Sequence, residues 1–199
     1  HFSSPEELRE FYEDGVEIIR EFSKRKKKYF SKRGWHLVGC EVPIKVTPHT
    51  YKPNLLLQGY LDVVMYHEPT QTFKIIDIKT SKSGWNKTMK SDENKQLQLV
   101  LYKKYFAELY NVPVEKIEVE FFIVKRKLYE SKEFVIRRIQ TFTPPSGKVK
   151  MNRVTKSLDD FINGAFGKDG YLDKDHQPTP HKNCHWCPFN KTHLCSATF

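Results

Sequence analysis

Two acidic residues and a lysine lie in apolar segments, where a charged side chain is costly to bury without a partner. Asp62 follows Gly59-Tyr60-Leu61, and Asp77 and Lys79 stand one residue apart in residues 75–80. Alternate side chains of a strand share one face, so Asp77 and Lys79 point the same way. Two converging carboxylates suit Mg²⁺ or Mn²⁺, and a nearby lysine can stabilise charge on a phosphate. The pattern predicts metal-assisted phosphodiester hydrolysis, and the alternative is a buried Asp–Lys ion pair.

A second polar pair lies further along the chain, in Gln98-Leu99-Val100-Leu101-Tyr102. Gln98 and Tyr102 are four residues apart and therefore share one face of a helix. On an otherwise apolar helix, this pair is predicted to reach toward the carboxylates or a DNA backbone. The alternative is a hydrogen bond at the surface.

The elements that must position these residues follow from apolar periodicity and from the placement of prolines. Helical spacing, with Ser4 and Pro5 suited to the first turn, predicts a first helix. Runs rich in Val, Ile, Leu and Tyr predict strands. The predicted helices cover residues 4–30, 95–110 and 153–165, and the strands cover 36–46, 56–66, 73–79, 117–125 and 134–142. This order predicts an α/β fold, with a mixed central sheet flanked by helices.

The chain of 199 residues has a formal net charge of +10, which predicts a polyanionic partner. Two basic segments are candidates for DNA binding, and they comprise Lys24, Arg25, Lys27 and Lys28 on the first helix and Lys82, Trp85 and Lys87 in the loop after the Asp-x-Lys segment. Trp85 is either a stacking platform for a base or a core anchor for its loop. No apolar run approaches a membrane span, and no leader for secretion is visible, so we expect a cytoplasmic protein.

The segments Gly59-x-x-Asp62, Asp77-x-Lys79-Thr80 and Gln98-Leu99-x-x-Tyr102 occur in an order and spacing that resemble the RecB-like branch of the PD-(D/E)XK nucleases. That branch includes exonuclease domains of bacterial recombination complexes and CRISPR-associated nucleases, and stand-alone phage nucleases are the nearest relatives that we expect. The resemblance covers about residues 41–195. It implies a restriction-endonuclease-like fold, with a nuclease core over residues 1–170 and a cysteine-bearing tail over 171–199 packed on that core.

The resemblance also implies a metal site. Asp62 and Asp77 would bind Mg²⁺ or Mn²⁺ together with the main-chain carbonyl of Ile78. Many relatives add a histidine from the helix before the first strand, and this chain has none there. Glu17 or Glu21 is the candidate to replace it, or water takes the position.

The remaining site residues take their roles from the same resemblance. Lys79 would be the catalytic lysine, and Gln98 and Tyr102 would position the catalytic groups and the DNA. Glu41 matches an acidic residue at the head of the first strand, which would support the metal through water or contact Lys79.

Three cysteines crowd the end of the chain, at Cys184, Cys187 and Cys195. Such spacing predicts a shared metal centre, and the alternative is three unligated thiols. The resemblance implies a [4Fe–4S] cluster whose fourth cysteine would precede His1, because Cys40 leads into the active-site strand. Zinc is the competing metal, with His181, His185 or His193 as its fourth ligand. Either centre would be structural.

Together these features predict a metal-dependent deoxyribonuclease, preferably a single-strand exonuclease in recombination, repair or phage DNA metabolism. Its partner would be DNA that is single-stranded or has free ends, and any helicase or recombination partner would be a separate chain. The alternatives are a structure-specific or flap endonuclease and a non-catalytic DNA-binding subunit. RNA is an alternative substrate.

Overall fold

A computed structural model of the chain describes residues 3–48, 52, 54–128, 137–173, 180, 182–193 and 195. Its helices and strands are α1 (Pro5–Phe30), β1 (Trp35–Val46), β2 (Leu57–His67), β3 (Thr72–Ser81), α2 (Lys87–Ser91), α3 (Glu93–Tyr110), β4 (Ile117–Lys125), β5 (Ile139–Phe142) and α4 (Lys148–Ala165). Short 3-10 turns lie at Glu68–Thr70, Val114–Lys116 and Lys182–Trp186.

The five strands form one sheet in the order β1-β2-β3-β4-β5. Neighbouring strands are antiparallel except for β3 and β4, which are parallel because the chain crosses over through α2 and α3. The predicted mixed sheet flanked by helices is confirmed. The segment with Asp77 and Lys79 lies on β3, at the centre of the sheet, where both neighbours hold it in place.

The first helix begins where its sequence indicates. The Ser4 hydroxyl accepts a hydrogen bond from the Glu7 N–H at 3.2 Å, and the Glu7 carboxylate accepts one from the Ser4 N–H at 2.9 Å. These reciprocal bonds satisfy two donors that a helix start leaves open. Towards its other end, α1 buries apolar side chains against one face of the sheet, where the core comprises Val63, Met65, Ile76, Phe122 and Val124.

On α3 the buried residues lie on nearly every side, which is typical of a helix enclosed in a core. Leu99 and Val100 are fully buried, and Phe106 packs on the ring of Phe73 at a centroid distance of 5.3 Å. This packing fixes the rotation of α3, and with it the direction of the polar side chains at its first turns.

The predictions differ most from the structure in three segments. The segment 81–94, predicted as a loop, contains α2 and the start of α3, whose caps are the side chains of Asn86 and Asp92. The last helix begins at Lys148, five residues before its predicted start. The prediction missed this first turn because Val149 is 76% exposed there and adds no apolar periodicity. The predicted strand 134–142 is observed from Ile139, and residues 134–136 lie outside the described part.

The chain divides into two compact units. The first comprises His1–Val46 and Leu57–Lys156, and it contains the whole sheet. The second comprises Thr47–Leu56 and Ser157–Phe199. Within it, the buried Lys52 ammonium donates to the carbonyls of Ile162 and Phe166 at the end of α4, where a cation is favoured by the helix dipole. Across the described ranges, no helix is long and apolar enough to cross a membrane.

Candidate active site

The first feature of the site is the point where β2 and β3 stop pairing. Their ladder runs from His67 opposite Thr72 to Val63 opposite Ile76. One residue further along β2, a carboxylate oxygen of Asp62 accepts a hydrogen bond from the N–H of Ile78 at 2.6 Å. A side chain thus satisfies a backbone donor at the end of the ladder. The ladder between β2 and β3 therefore ends here, and the Asp62 carboxylate lies at its open end.

The second acidic residue, Asp77, is 2% exposed and lies on β3 beside the fully buried Phe121 of β4. Lys79 donates a hydrogen bond to its Oδ1 at 3.1 Å, and the same ammonium lies 2.8 Å from Oδ2. Within the described residues, Oδ2 is buried and accepts no bond with hydrogen-bond geometry. Burial raises the pKa of Asp77, an effect that Lys79 opposes and the charge of Asp62 reinforces.

A chain of polar contacts continues from the lysine to α3. Lys79 Nζ donates to Gln98 Oε1 at 3.1 Å, and Gln98 Nε2 donates to the Tyr102 hydroxyl at 2.9 Å. The ring of Tyr102 lies against Gly59, where an added Cβ would come within 2.8 Å of it. The structure therefore joins Asp77, Lys79, Gln98 and Tyr102 in one network, with glycine at position 59 leaving room for the ring.

Glu41 occupies an unusual position on the neighbouring strand. Because Cys40 pairs with Val63 and Val42 with Leu61, Glu41 lies level with Asp62. Its backbone has φ of +51°, in the left-handed region that non-glycine residues seldom adopt. Its side chain is exposed. An outlier beside a carboxylate site is a candidate for function, and the structure places Glu41 next to the site without joining it to the hydrogen-bonded network.

A family model described as the PD-(D/E)XK nuclease superfamily matches residues 4–192. The chain belongs to this superfamily. Membership implies a metal-dependent nuclease, and such nucleases typically use Mg²⁺ or Mn²⁺. A solved structure described as "Crystal structure of SSO0001" is similar at 15% sequence identity and a TM-score of 0.43, and the match covers 88% of this chain and 66% of that one. No match was found among curated proteins.

The donor set of the nuclease fits a hard divalent cation. Asp62 and Asp77 supply carboxylate oxygens, and Oδ2 of Asp77 is a buried acceptor that a cation would satisfy. Among the residues that the structure describes, no group of three or more His, Cys, Asp or Glu side chains is arranged to hold a metal. Mg²⁺ suits such a sparse set, since it usually keeps several waters and needs one or two carboxylates.

The two candidates for a third carboxylate take part in another contact. Glu17 and Glu21 of α1 both form ion pairs with Arg138, a residue that is 7% exposed. Arg138 also donates to the carbonyls of Lys125 and Arg126, each at 3.1 Å. These contacts tie α1 to the end of β4, and the structure does not bring Glu17 or Glu21 into the network of Asp77 and Lys79. Sequence reasoning missed Arg138, which lies more than one hundred positions from Glu17 and Glu21.

The loop after β3 is held by its own contacts. The Ser81 hydroxyl bonds to both the carbonyl and the N–H of Gly84, whose φ of +100° favours glycine. The Gln140 side chain accepts from the Trp85 N–H at 2.7 Å and donates to its carbonyl at 3.1 Å. Sequence reasoning missed Gln140, because no local pattern marks a partner 55 positions away.

The burial of Trp85 favours the core anchor over the stacking platform. Its side chain is 7% exposed and packs on Phe121 at a centroid distance of 4.9 Å, so little of the ring is open to a base. Trp85 is the anchor of the loop, and it packs on the residue beside Asp77. Lys82 and Lys87 of the same loop are exposed.

The basic residues of α1 are exposed at its last turns. Lys24, Lys27 and Lys28 face solvent, and Arg25 lies 3.9 Å from Glu21, a distance typical of a weak surface ion pair. Their role in DNA binding stays a prediction.

The three late cysteines lie in a short turn and its flank. The Cys187 N–H donates to the Cys184 carbonyl at 3.0 Å, and all three side chains, including that of Cys195, are partly buried. In the described part of the tail they form no three-ligand group, so the structure does not show the predicted cluster. His181 lies outside the described residues, whereas His185 and His193 lie within them.

Proposed function

We propose that this nuclease is a deoxyribonuclease that degrades single-stranded DNA from its ends. The observation that supports hydrolysis is the network Asp77–Lys79–Gln98, placed beside the Asp62 carboxylate at the open end of the β2–β3 ladder. A protein that merely binds DNA has no need of a buried acid held in this way, because burying it costs free energy.

Asp62, Asp77 and the carbonyl of Ile78 are the residues that would hold the metal. When bound, Mg²⁺ or Mn²⁺ supplies Lewis acidity and lowers the pKa of a water ligand. The side chain of Asp62 is already fixed by the Ile78 N–H, so it is preorganised for this role.

Lys79 is the group that would contact the phosphate. Its ammonium has three N–H donors, of which the hydrogen bonds to Asp77 and Gln98 use two. The third donor can meet a phosphate oxygen or the attacking water, since the side chain is 34% exposed. A fixed donor aimed where charge develops stabilises the transition state more than the ground state.

The choice of DNA and of an exonuclease rests on the resemblance to RecB-like nucleases and on charge. The net charge of +10 and the exposed lysines at positions 24, 27, 28, 82 and 87 favour a nucleic-acid backbone.

The test compares linear and circular single-stranded DNA, with label at either end, in Mg²⁺ and in Mn²⁺. The wild type should shorten the linear strand alone. Asp77→Asn should yield no product, because the substitution keeps the shape and removes the charge. Glu108→Gln is the matched control, since it removes one carboxylate from an exposed pair with Lys104 and should cleave normally.

The other outcomes separate the alternatives. Cleavage of the circular strand would show that the protein is an endonuclease and not an exonuclease. Flap substrates would then test whether it prefers particular DNA structures. Binding without cleavage in either metal would leave a non-catalytic DNA-binding subunit. Cleavage of an RNA strand of the same sequence at an equal rate would contradict the preference for DNA.

A metal centre at Cys184, Cys187 and Cys195 is a separate prediction about the tail. Elemental analysis of protein purified without oxygen should find iron with visible absorbance for a [4Fe–4S] cluster, or zinc without it. Cys187→Ser should lose the metal and Cys40→Ser should keep it. Protein with neither metal would contradict both centres.

A further inference from the structure

A cleft outside the catalytic network opens between the start of α3 and the start of α4, and it has a volume of about 630 Å³. We call it the α3–α4 cleft. The side chains that define it are Ser91, Glu93 and Gln96 on one wall and Lys148, Lys150 and Arg153 on the other. Three cations and one carboxylate line the same space, so its net charge is positive.

The charges in the cleft are unevenly matched. A single oxygen of Glu93, Oε1, lies 2.9 Å from Lys150 Nζ and 2.8 Å from an Arg153 nitrogen. The Lys150 side chain is only 10% exposed, whereas Arg153 and Glu93 are largely exposed. One carboxylate therefore holds two cations, and its pKa is lowered chiefly by the hydrogen bond from Lys150. A second anion in the cleft would balance the excess charge.

The cleft and the network of Lys79 and Gln98 share the first turns of α3. Glu93 begins the helix and Gln98 follows five positions later, a rise of roughly 7.5 Å along the axis and a rotation of roughly 140° around it. Successive phosphates of a stacked strand advance by about 3.4 Å along its axis. A strand with one phosphate at Lys79 would follow the start of α3 around to its other side to place another phosphate in the cleft.

We propose that the α3–α4 cleft binds a backbone phosphate of the substrate strand, with Lys150 and Arg153 exchanging Glu93 for the phosphate. The inference rests on the proposed function for the identity of the ligand, a single DNA strand. Glu93 acts as the internal competitor that keeps both cations in place before the strand arrives. Removing it should strengthen binding, whereas removing either cation should weaken it.

The test measures binding of a fluorescent single-stranded oligonucleotide to the full chain in EDTA, over a series of salt concentrations. Each lost phosphate contact should lower the magnitude of the slope of log K against log salt by about 0.7. Arg153→Gln and Lys150→Gln should both show this loss, and Glu93→Gln should bind several-fold tighter than wild type at low salt. Lys104→Gln is the matched control, because it removes a lysine that pairs with a carboxylate further along α3.

Thermal unfolding first confirms that each variant is folded. If Lys150→Gln unfolds, Arg153→Gln still tests the cleft, because the Arg153 side chain is largely exposed and its loss should not unfold the protein. A slope for Arg153→Gln equal to that of Lys104→Gln, or binding by Glu93→Gln no tighter than that of the wild type, would overturn the inference, as would a wild type that binds no DNA. A wild type that binds DNA but does not cleave it with Mg²⁺ or Mn²⁺ would contradict the proposed nuclease activity alone. The salt-dependence slopes would then still show whether the cleft binds a phosphate.

Discussion

Lys79 Nζ donates a hydrogen bond to Gln98 Oε1 at 3.1 Å, although 19 positions separate the two residues. The contact joins the end of β3 to the first half of α3. An amide oxygen accepts a hydrogen bond without taking the proton, so Gln98 orients the ammonium and leaves its positive charge intact. Gln98 itself is held by the hydroxyl of Tyr102.

Gln98→Ala should therefore lower kcat and leave DNA binding unchanged. We expect a loss of roughly 10- to 100-fold, the usual effect of removing a residue that orients a catalytic group. Gln98→Glu should recover part of the rate, because it restores an oxygen acceptor for Lys79. Tyr102→Phe should cost less than Gln98→Ala. Single-turnover cleavage and oligonucleotide binding measure the two quantities, and a rise in Kd that accounts for the whole loss would contradict the positioning role.

Gly59→Ala should destabilise the protein because the new methyl group would lie 2.8 Å from the ring of Tyr102. Overpacking of this kind costs about 1–3 kcal/mol. Gly15→Ala is the matched control: on α1, an added Cβ meets nothing within 4 Å, and alanine is favoured over glycine in a helix by about 0.5–1 kcal/mol. Urea unfolding should give opposite signs for the two substitutions. Equal effects would show that Gly59 is not required by the ring.

The elements of this fold that can be predicted from the sequence are those that local residue patterns indicate. Helix α1 carries its own start signal at Ser4 and Pro5, and apolar runs mark β1 to β4. The alternation of a strand also places Asp77 and Lys79 on one face without knowledge of the fold.

What sequence reasoning missed depends on contacts between distant segments. Gln140, on β5, forms hydrogen bonds with the backbone of Trp85. Arg138 forms ion pairs with two glutamates of α1. No spacing rule connects such partners, because the sheet brings them together only after folding. Trp85 shows the same limit, since an aromatic residue in a polar loop fits equally a stacking platform or a buried anchor.

Trp85→Ala should destabilise the protein by about 3–5 kcal/mol, because the substitution leaves a cavity against Phe121. Trp186→Ala is the matched control, since that side chain is 84% exposed and its loss should change stability little. Chemical unfolding of both variants tests the anchor role. A stable Trp85→Ala variant with weakened binding of single-stranded DNA would instead support stacking.

Arg138→Met should destabilise the protein by about 2–3 kcal/mol, because charged hydrogen bonds to two carbonyls and two carboxylates are lost together. Glu17→Gln should cost under about 1 kcal/mol, since its side chain is 61% exposed. Neither Glu17→Gln nor Glu21→Gln should change the Mn²⁺ concentration that gives half-maximal cleavage. An increase in that concentration would identify the altered glutamate as a metal ligand.

Lys103→Met should stabilise the protein at neutral pH, by about 1 kcal/mol, because an amine buried at 8% exposure loses its hydration. Its hydrogen-bond acceptor is the Ser146 hydroxyl, at a long 3.4 Å. Burial lowers the pKa of Lys103 from 10.5, and Glu118 and Glu115 oppose that effect only in part.

The sign of the pH dependence follows from this lowered pKa. Between the folded value and 10.5, the unfolded chain binds more protons than the folded one, so the wild type gains stability as pH rises through that window. The advantage of Lys103→Met should therefore shrink between pH 7 and about pH 10. Urea unfolding at both values measures the change, and Lys104→Met serves as the control because its lysine pairs with Glu108. A difference between Lys103→Met and wild type that stays constant with pH would show that burial does not perturb this lysine.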